Sequence, residues 1–312
     1  MKKILILSLL LTSFIGCKQG ESNSSLNSIL GDSSEESKAS TAINYFNAVI
    51  EYDNNSSKKV NALLKRDFIT LSEMVKNKRK TSSILTWTAF MGIDPNTKVG
   101  YGSNQVDLLK PSDFFENDIA EKVKPLIEDM SSSYTSVKEA YNDFKSYYSN
   151  EDFKDDNWAK GEVLISKMKS NSDSFYSNRD AFFNLIEPTM EVAEKEVLKD
   201  HPLKKEILHA KKTLKIVDEL ADLIANPETP IASVEKSYLL LEERFNESKK
   251  METKNLVKQN KLNSFNNFYD EIEKMLGVLR KTKRDGEISD RDYEEFNREY
   301  SSVLGDYNSF VM

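Results

Sequence analysis

The residues of this chain that could do chemistry are one cysteine, two histidines and many carboxylates. The cysteine, Cys17, follows an apolar run rather than standing among acid–base partners. His201 and His209 are eight residues apart with Pro202 between them. A helical zinc pair instead wants three- or four-residue spacing and a further ligand, so both read as exposed helix-end residues. Gly100-Tyr101-Gly102 has too few glycines to cradle phosphate, and no GxSxG, P-loop or GxGxxG pattern occurs. Asp94-Pro95-Asn96-Thr97-Lys98 lacks the alternating ligands, central glycine and closing glutamate of a calcium loop. Acidic pairs such as Asp155-Asp156 and Glu242-Glu243 recur because 51 Asp and Glu are spread along the sequence. Solvated helix faces account for them better than a carboxylate-pair hydrolase. The expectation is no catalytic residue, no cofactor and no metal site.

The chemistry open to Cys17 is lipid attachment. Lys2-Lys3 lead into the apolar run Ile4 to Leu11, followed by Phe14-Ile15-Gly16-Cys17. That is the layout of an export signal, and it is shorter than the roughly 20 apolar residues of a membrane span. The ending resembles a bacterial lipoprotein signal, in which cleavage precedes the cysteine and its sulfur carries a diacylglycerol. Phe14 stands where such signals usually carry leucine, and it keeps a bulky apolar group there. An ordinary signal peptide with an incidental cysteine is the alternative, but no second cysteine offers a disulfide. Each buried CH₂ is worth about 0.8 kcal/mol, so two or three acyl chains anchor where one would not. Residues 1–16 therefore read as signal, with the membrane as partner through Cys17. Lys18, rather than aspartate, follows the cysteine, which favours the outer membrane.

Removing Lys2 and Lys3 lowers Lys plus Arg from 44 to 42 against 51 Asp plus Glu, a net charge of −9. Charges of both signs are interspersed, and nothing resembles the basic face that nucleic acid requires. Residues 17–38 are rich in Ser, Asn, Gly and Glu and read as a flexible tether. From 39 to 312 the periodicity is helical. Ser40-Thr41 can cap a helix carrying Ile43, Phe46, Val49 and Ile50, with Asp53-Asn54-Asn55 as an interruption. Phe115, Ile119, Val123, Leu126, Met130, Tyr134, Val137, Tyr141, Phe144 and Tyr148 advance by threes and fours. Asp155 or Asp156 can cap a following helix of some 40 residues. Pro125 and Pro188 are internal kink or division sites. Pro202 opens another helix, Asn226 to Pro230 is a hairpin connection, and Ser289 caps the last helix, with Tyr293, Phe296 and Tyr300 inward. The fold class is all-α, an elongated bundle of long, kinked antiparallel helices, with the polar break near 151 as a possible sub-boundary.

The segment 81–111 stands apart. Ile84, Leu85, Trp87, Ala89, Phe90, Met91 and Ile93 form a nearly uncharged run, and a Gly/Asn/Pro-rich loop then leads to Pro111. A connection this long is often functional or disordered. One reading is a ligand or partner surface anchored by Trp87, Phe90 and Tyr101. The other is a buried helix end followed by a loop wrapped across the bundle.

The N-terminal signal, the helix carrying Ala42-Ile43-Asn44-Tyr45-Phe46-Asn47 and the closing Tyr307-Asn308-Ser309-Phe310-Val311 together resemble the YiiG-like family of bacterial envelope lipoproteins. The resemblance implies a helical envelope protein with no assigned activity, and it carries over no catalytic residue. The functional expectation is a non-enzymatic helical binding or scaffolding module with an envelope protein partner. The alternative is a carrier or receptor for a small apolar or glycan ligand.

Overall fold

The computed structural model describes residues 35–81, 85–100, 102, 105–226 and 229–311. Cys17 and Tyr101 lie outside them. The fold is all-α, and its described residues fall into two compact units, Ser33–Glu194 and Lys195–Met312.

In the N-terminal unit α1 (Glu35–Ala62) passes through a π-helical turn (Leu63–Asp67) into α2 (Phe68–Asn77). The helix starts before Ser40-Thr41, whose hydroxyls donate instead to the carbonyls of Glu36 and Ser37 four residues back. It begins within the last residues of the expected tether. It also runs straight through Asp53-Asn54-Asn55. Asp53 is buried, and its carboxylate accepts from Arg179 Nε at 3.0 and 2.9 Å. An aspartate that breaks a solvent-facing helix is held inside this one by a charge partner.

A two-residue ladder, β1 (Lys98–Val99) with β2 (Val106–Asp107), precedes α3 (Asn117–Ser149). The buried positions of α3 include Val123, Ile127, Met130, Tyr134, Val137, Tyr141, Phe144 and Tyr147. Of the expected stripe, Phe115 precedes the helix, Ile119 is only partly buried, and Ile127 and Tyr147 take the buried places expected of Leu126 and Tyr148. After the short α4 (Phe153–Asp156) comes α5 (Ala159–Val197). Asp156 caps it, accepting from the N–H groups of Trp158 at 2.9 Å and Lys160 at 2.8 Å. Gly161 is buried where Val75 and the Tyr147 ring leave a Cβ only 3.1 and 3.2 Å. Neither Pro125 nor Pro188 divides its helix. The polar break near 151 is a turn inside this unit, and the chain divides instead in the last turn of α5.

In the C-terminal unit α6 (Lys204–Ile224), α7 (Ile231–Ser248), α9 (Leu262–Asp285) and α10 (Asp290–Val311) pack around one core, with the short α8 (Lys254–Lys258) between α7 and α9. Val217, Leu220, Leu241, Phe268, Met275, Phe296 and Phe310 are among its buried residues. Pro202 precedes α6 rather than opening it. Tyr293, expected inward, is 38% exposed. Ser289 caps α10 reciprocally: the Asp292 N–H donates to Ser289 Oγ, and the Ser289 N–H donates to the Asp292 carboxylate.

Candidate functional site: a strap along α3

Between α2 and β1 the described chain forms no helix. Trp87 adopts φ 51° and Gly92 φ 85°, both in the left-handed region, and Pro95 follows. The alternative of a buried helix end is therefore not what forms. A bulky residue at positive φ costs about 1–2 kcal/mol, and ring contacts offset it here. The Trp87 ring lies 5.6 Å from Tyr141, 6.5 Å from Phe144 and 5.9 Å from Tyr148. Phe90 lies 5.4 Å from Tyr141 and 5.7 Å from Tyr134.

Tyr134, Tyr141 and Tyr148 recur every two turns of α3, so they line one face. Lys80 sits over Tyr148, Trp87 bridges Tyr148 and Tyr141, Phe90 bridges Tyr141 and Tyr134, and Asp94 meets Tyr134. Lys80 and residues 85–94 thus follow that face antiparallel to α3 as a strap. Its far end is pinned at Asp94, which accepts from Tyr134 Oη at 2.9 Å, from Lys138 and from Lys59 Nζ at 3.4 Å. Lys59 also donates to the Ile93 carbonyl at 2.7 Å. Partial burial alone would raise the Asp94 pKa; the hydrogen bonds from Lys138, Tyr134 and Lys59 outweigh it and hold the carboxyl below its ordinary range.

Beneath the strap, Tyr141 Oη donates to Asp67, the last residue of the π-turn, whose carboxylate also pairs with Arg66. Burial first, and then the facing carboxylates, push the Tyr134 and Tyr141 phenols well above their ordinary pKa. They therefore act as fixed donors near neutral pH rather than as nucleophiles. The array of rings continues through Tyr147 and Phe153 to Trp158, which stacks on Phe153 at 4.4 Å.

This geometry changes which residues are offered to solvent. Phe90 is 8% exposed and Trp87 half-buried, so both hold the strap down. The exposed apolar residues are Met91 at 65% and Ile93 at 94%, on either side of Gly92. The sequence placed these two in the run but did not single them out. No periodic signal marks them in the sequence, since residues 89 and 90 are both buried and residues 91 to 93 are all exposed.

A second surface feature of the same unit is a groove of about 550 Å³ between α2 and α5. Phe68, Val75 and Ile165 give it an apolar lining, with Ser72, Ser166 and Lys169 beside them. Ser72 Oγ is buried there without a hydrogen-bond partner.

The histidines are not exposed helix ends. His201 Nδ1 accepts from the Leu203 N–H at 3.1 Å, and His209 lies mid-helix, its side chain 12% exposed. Among the described residues no helix is long and apolar enough to cross a membrane.

The chain belongs to the family described as a domain of unknown function, DUF6845, which matches residues 33–200. That match coincides closely with the N-terminal unit, so the strap and the groove both lie within it. No curated protein matches the chain. Among solved structures, an alpha helical protein from Bacteroides fragilis is similar at 19% identity and a TM-score of 0.52, covering 88% of this chain and 99% of that one. An uncharacterised DUF3829-like protein from Bacteroides thetaiotaomicron is similar at 19% identity and a TM-score of 0.49, covering 86% of this chain and 98% of that one. The first of these likenesses shows a common helical fold.

Proposed function

We propose that this DUF6845 protein is a non-enzymatic lipoprotein of the bacterial cell envelope, anchored through Cys17 in the outer membrane and acting as a helical binding or scaffolding module for an envelope protein. The observation that carries the binding role is the Met91–Ile93 tip: two large apolar side chains in water, on a loop fixed by the Asp94 cluster and the aromatic array. A pre-fixed contact loses less entropy on binding than a mobile one. The anchor is supported by the Gly16-Cys17 ending of the apolar run. The likeness of Ala42–Asn47 and Tyr307–Val311 to YiiG-like lipoproteins supports the same reading.

The test of the anchor is Cys17→Ser. The variant should fold as the parent does and move from the membrane to the soluble fraction of disrupted cells. Retention on membranes after a high-salt wash would defeat the anchor. The second reading, a carrier for a small apolar or glycan ligand, is favoured by the groove between α2 and α5, whose volume suits a small ligand. A carrier should show a ligand-dependent rise in melting temperature that Phe68→Ala and Ile165→Ser diminish. A scaffold should show none, and should retain a partner on native cross-linking.

A further inference from the structure

We propose that His209, Tyr269 and Glu247 form a proton-sensitive latch that joins α6, α9 and α7 of the C-terminal unit and loosens when His209 takes up a second ring proton. His209 on α6 places Nδ1 2.5 Å from Tyr269 Oη on α9 and Nε2 3.2 Å from the Glu247 carboxylate on α7. The carboxylate can only accept, so Nε2 carries the hydrogen; Nδ1 is then a bare acceptor and Tyr269 donates to it. Thr213 Oγ1 donates its own proton to the His209 carbonyl at 3.0 Å. The Thr213–Tyr269 oxygen contact is thereby left without a proton, which accounts for its length of 3.4 Å. Every proton in the network has one place.

A proton added to Nδ1 breaks that order. Nδ1–H must donate to Tyr269 Oη, so the phenol proton has to turn away, and Tyr269 is only 4% exposed to water. The one acceptor within reach in this network is Thr213 Oγ1, at the longer distance. The charged groups facing the ring are Glu247 and Arg244 from α7 and Lys212 from its own helix, while α9 presents the Tyr269 hydroxyl. Glu247 favours the imidazolium; Arg244 and Lys212 oppose it, and Arg244 already takes Glu247 Oε2 at 2.8 Å. Burial is the largest influence, and with the two cations it sets the His209 pKa below the ordinary 6.5. The folded pKa is thus the lower one. Between it and the unfolded value of about 6.5 the unfolded chain holds the extra proton, so stability falls as pH falls through that window.

The test uses the full chain in detergent, with thermal unfolding followed from pH 7.5 to 5.0 and the His209 imidazole titrated by proton NMR. His201 is also depressed by burial, so the experiment is run in a His201→Gln background. The melting temperature should drop by several degrees across this range. His209→Gln should flatten most of that drop. Tyr269→Phe keeps the imidazole but removes the hydroxyl that must reverse its role, and should raise the His209 pKa and shrink the slope. A His209 pKa at or above 6.5, or an acid drop unchanged in both variants, would overturn the latch. If His209→Gln fails to fold, the imidazole titration of the His201→Gln protein and the Tyr269→Phe slope decide it.

Discussion

Replacing Arg179 with Ala should destabilise the N-terminal unit by about 3–5 kcal/mol, because it leaves the Asp53 carboxylate buried without its counter-charge. The side chains of Arg179 and Asp53 are 8% and 6% exposed, so solvent cannot take over. The guanidinium also lies 5.4 Å from the Phe183 ring and 3.1 Å from Asp180, so Lys is a poor substitute and should recover only part of the loss. Urea unfolding followed by helical circular dichroism measures it. The double variant Asp53→Leu with Arg179→Met should regain most of the stability, since the penalty lies in the orphaned charge rather than in the missing attraction. A single-variant loss below about 1 kcal/mol would mean that α1 is held through Asp53 by something else.

The same residue explains where the sequence misleads. Asp53-Asn54-Asn55 has the composition of a helix stop, and nothing near it in the chain says otherwise. Its partner is 126 residues away, and that pairing exists only once α1 and α5 are packed. By contrast, Phe296 and Tyr300 were legible as inward positions of α10, because every turn of an amphipathic helix repeats the same information. The cap at Ser289 was legible for a related reason: its chemistry is local, and Asp292 completes it within three residues. His209 was misjudged because an isolated histidine gives no sign of its neighbours. Glu247 and Tyr269 reach it from 38 and 60 residues along the chain.

The candidate surface was legible as a stretch but not by residue. Aromatic anchor chemistry singled out Trp87, Phe90 and Tyr101 over Met91 and Ile93, and a contact surface was expected on the larger rings. The seven-residue spacing of Tyr134, Tyr141 and Tyr148 gives those rings partners along α3, so they become the fastening. What the fastening leaves outside is decided by the chain turning outward after Phe90, through a glycine at φ 85°. That conformation cannot be read from composition.

A pair of substitutions three residues apart should therefore give opposite outcomes. Phe90→Ala removes a ring that is 8% exposed and touches two tyrosines, and should cost about 3 kcal/mol, as buried Phe truncations do. The loss should appear in the strap before the helices, because α3 keeps Val123, Val137 and its other core contacts. Amide exchange in residues 85–94 would rise while the helical signal changes little. Adding Trp87→Ala removes three further ring contacts but leaves the strained φ of 51°, so the double variant should release the strap altogether. Ile93→Ser does the reverse. At 94% exposure its side chain contributes almost nothing to folding, and stability should stay within about 0.5 kcal/mol. If the tip is the contact surface, cross-linking to an envelope partner should fall at least tenfold in Ile93→Ser, and further with Met91→Ser, while the fold is untouched. Undiminished cross-linking by both serine variants, with loss only when the strap itself is released, would place the contact elsewhere on the strap.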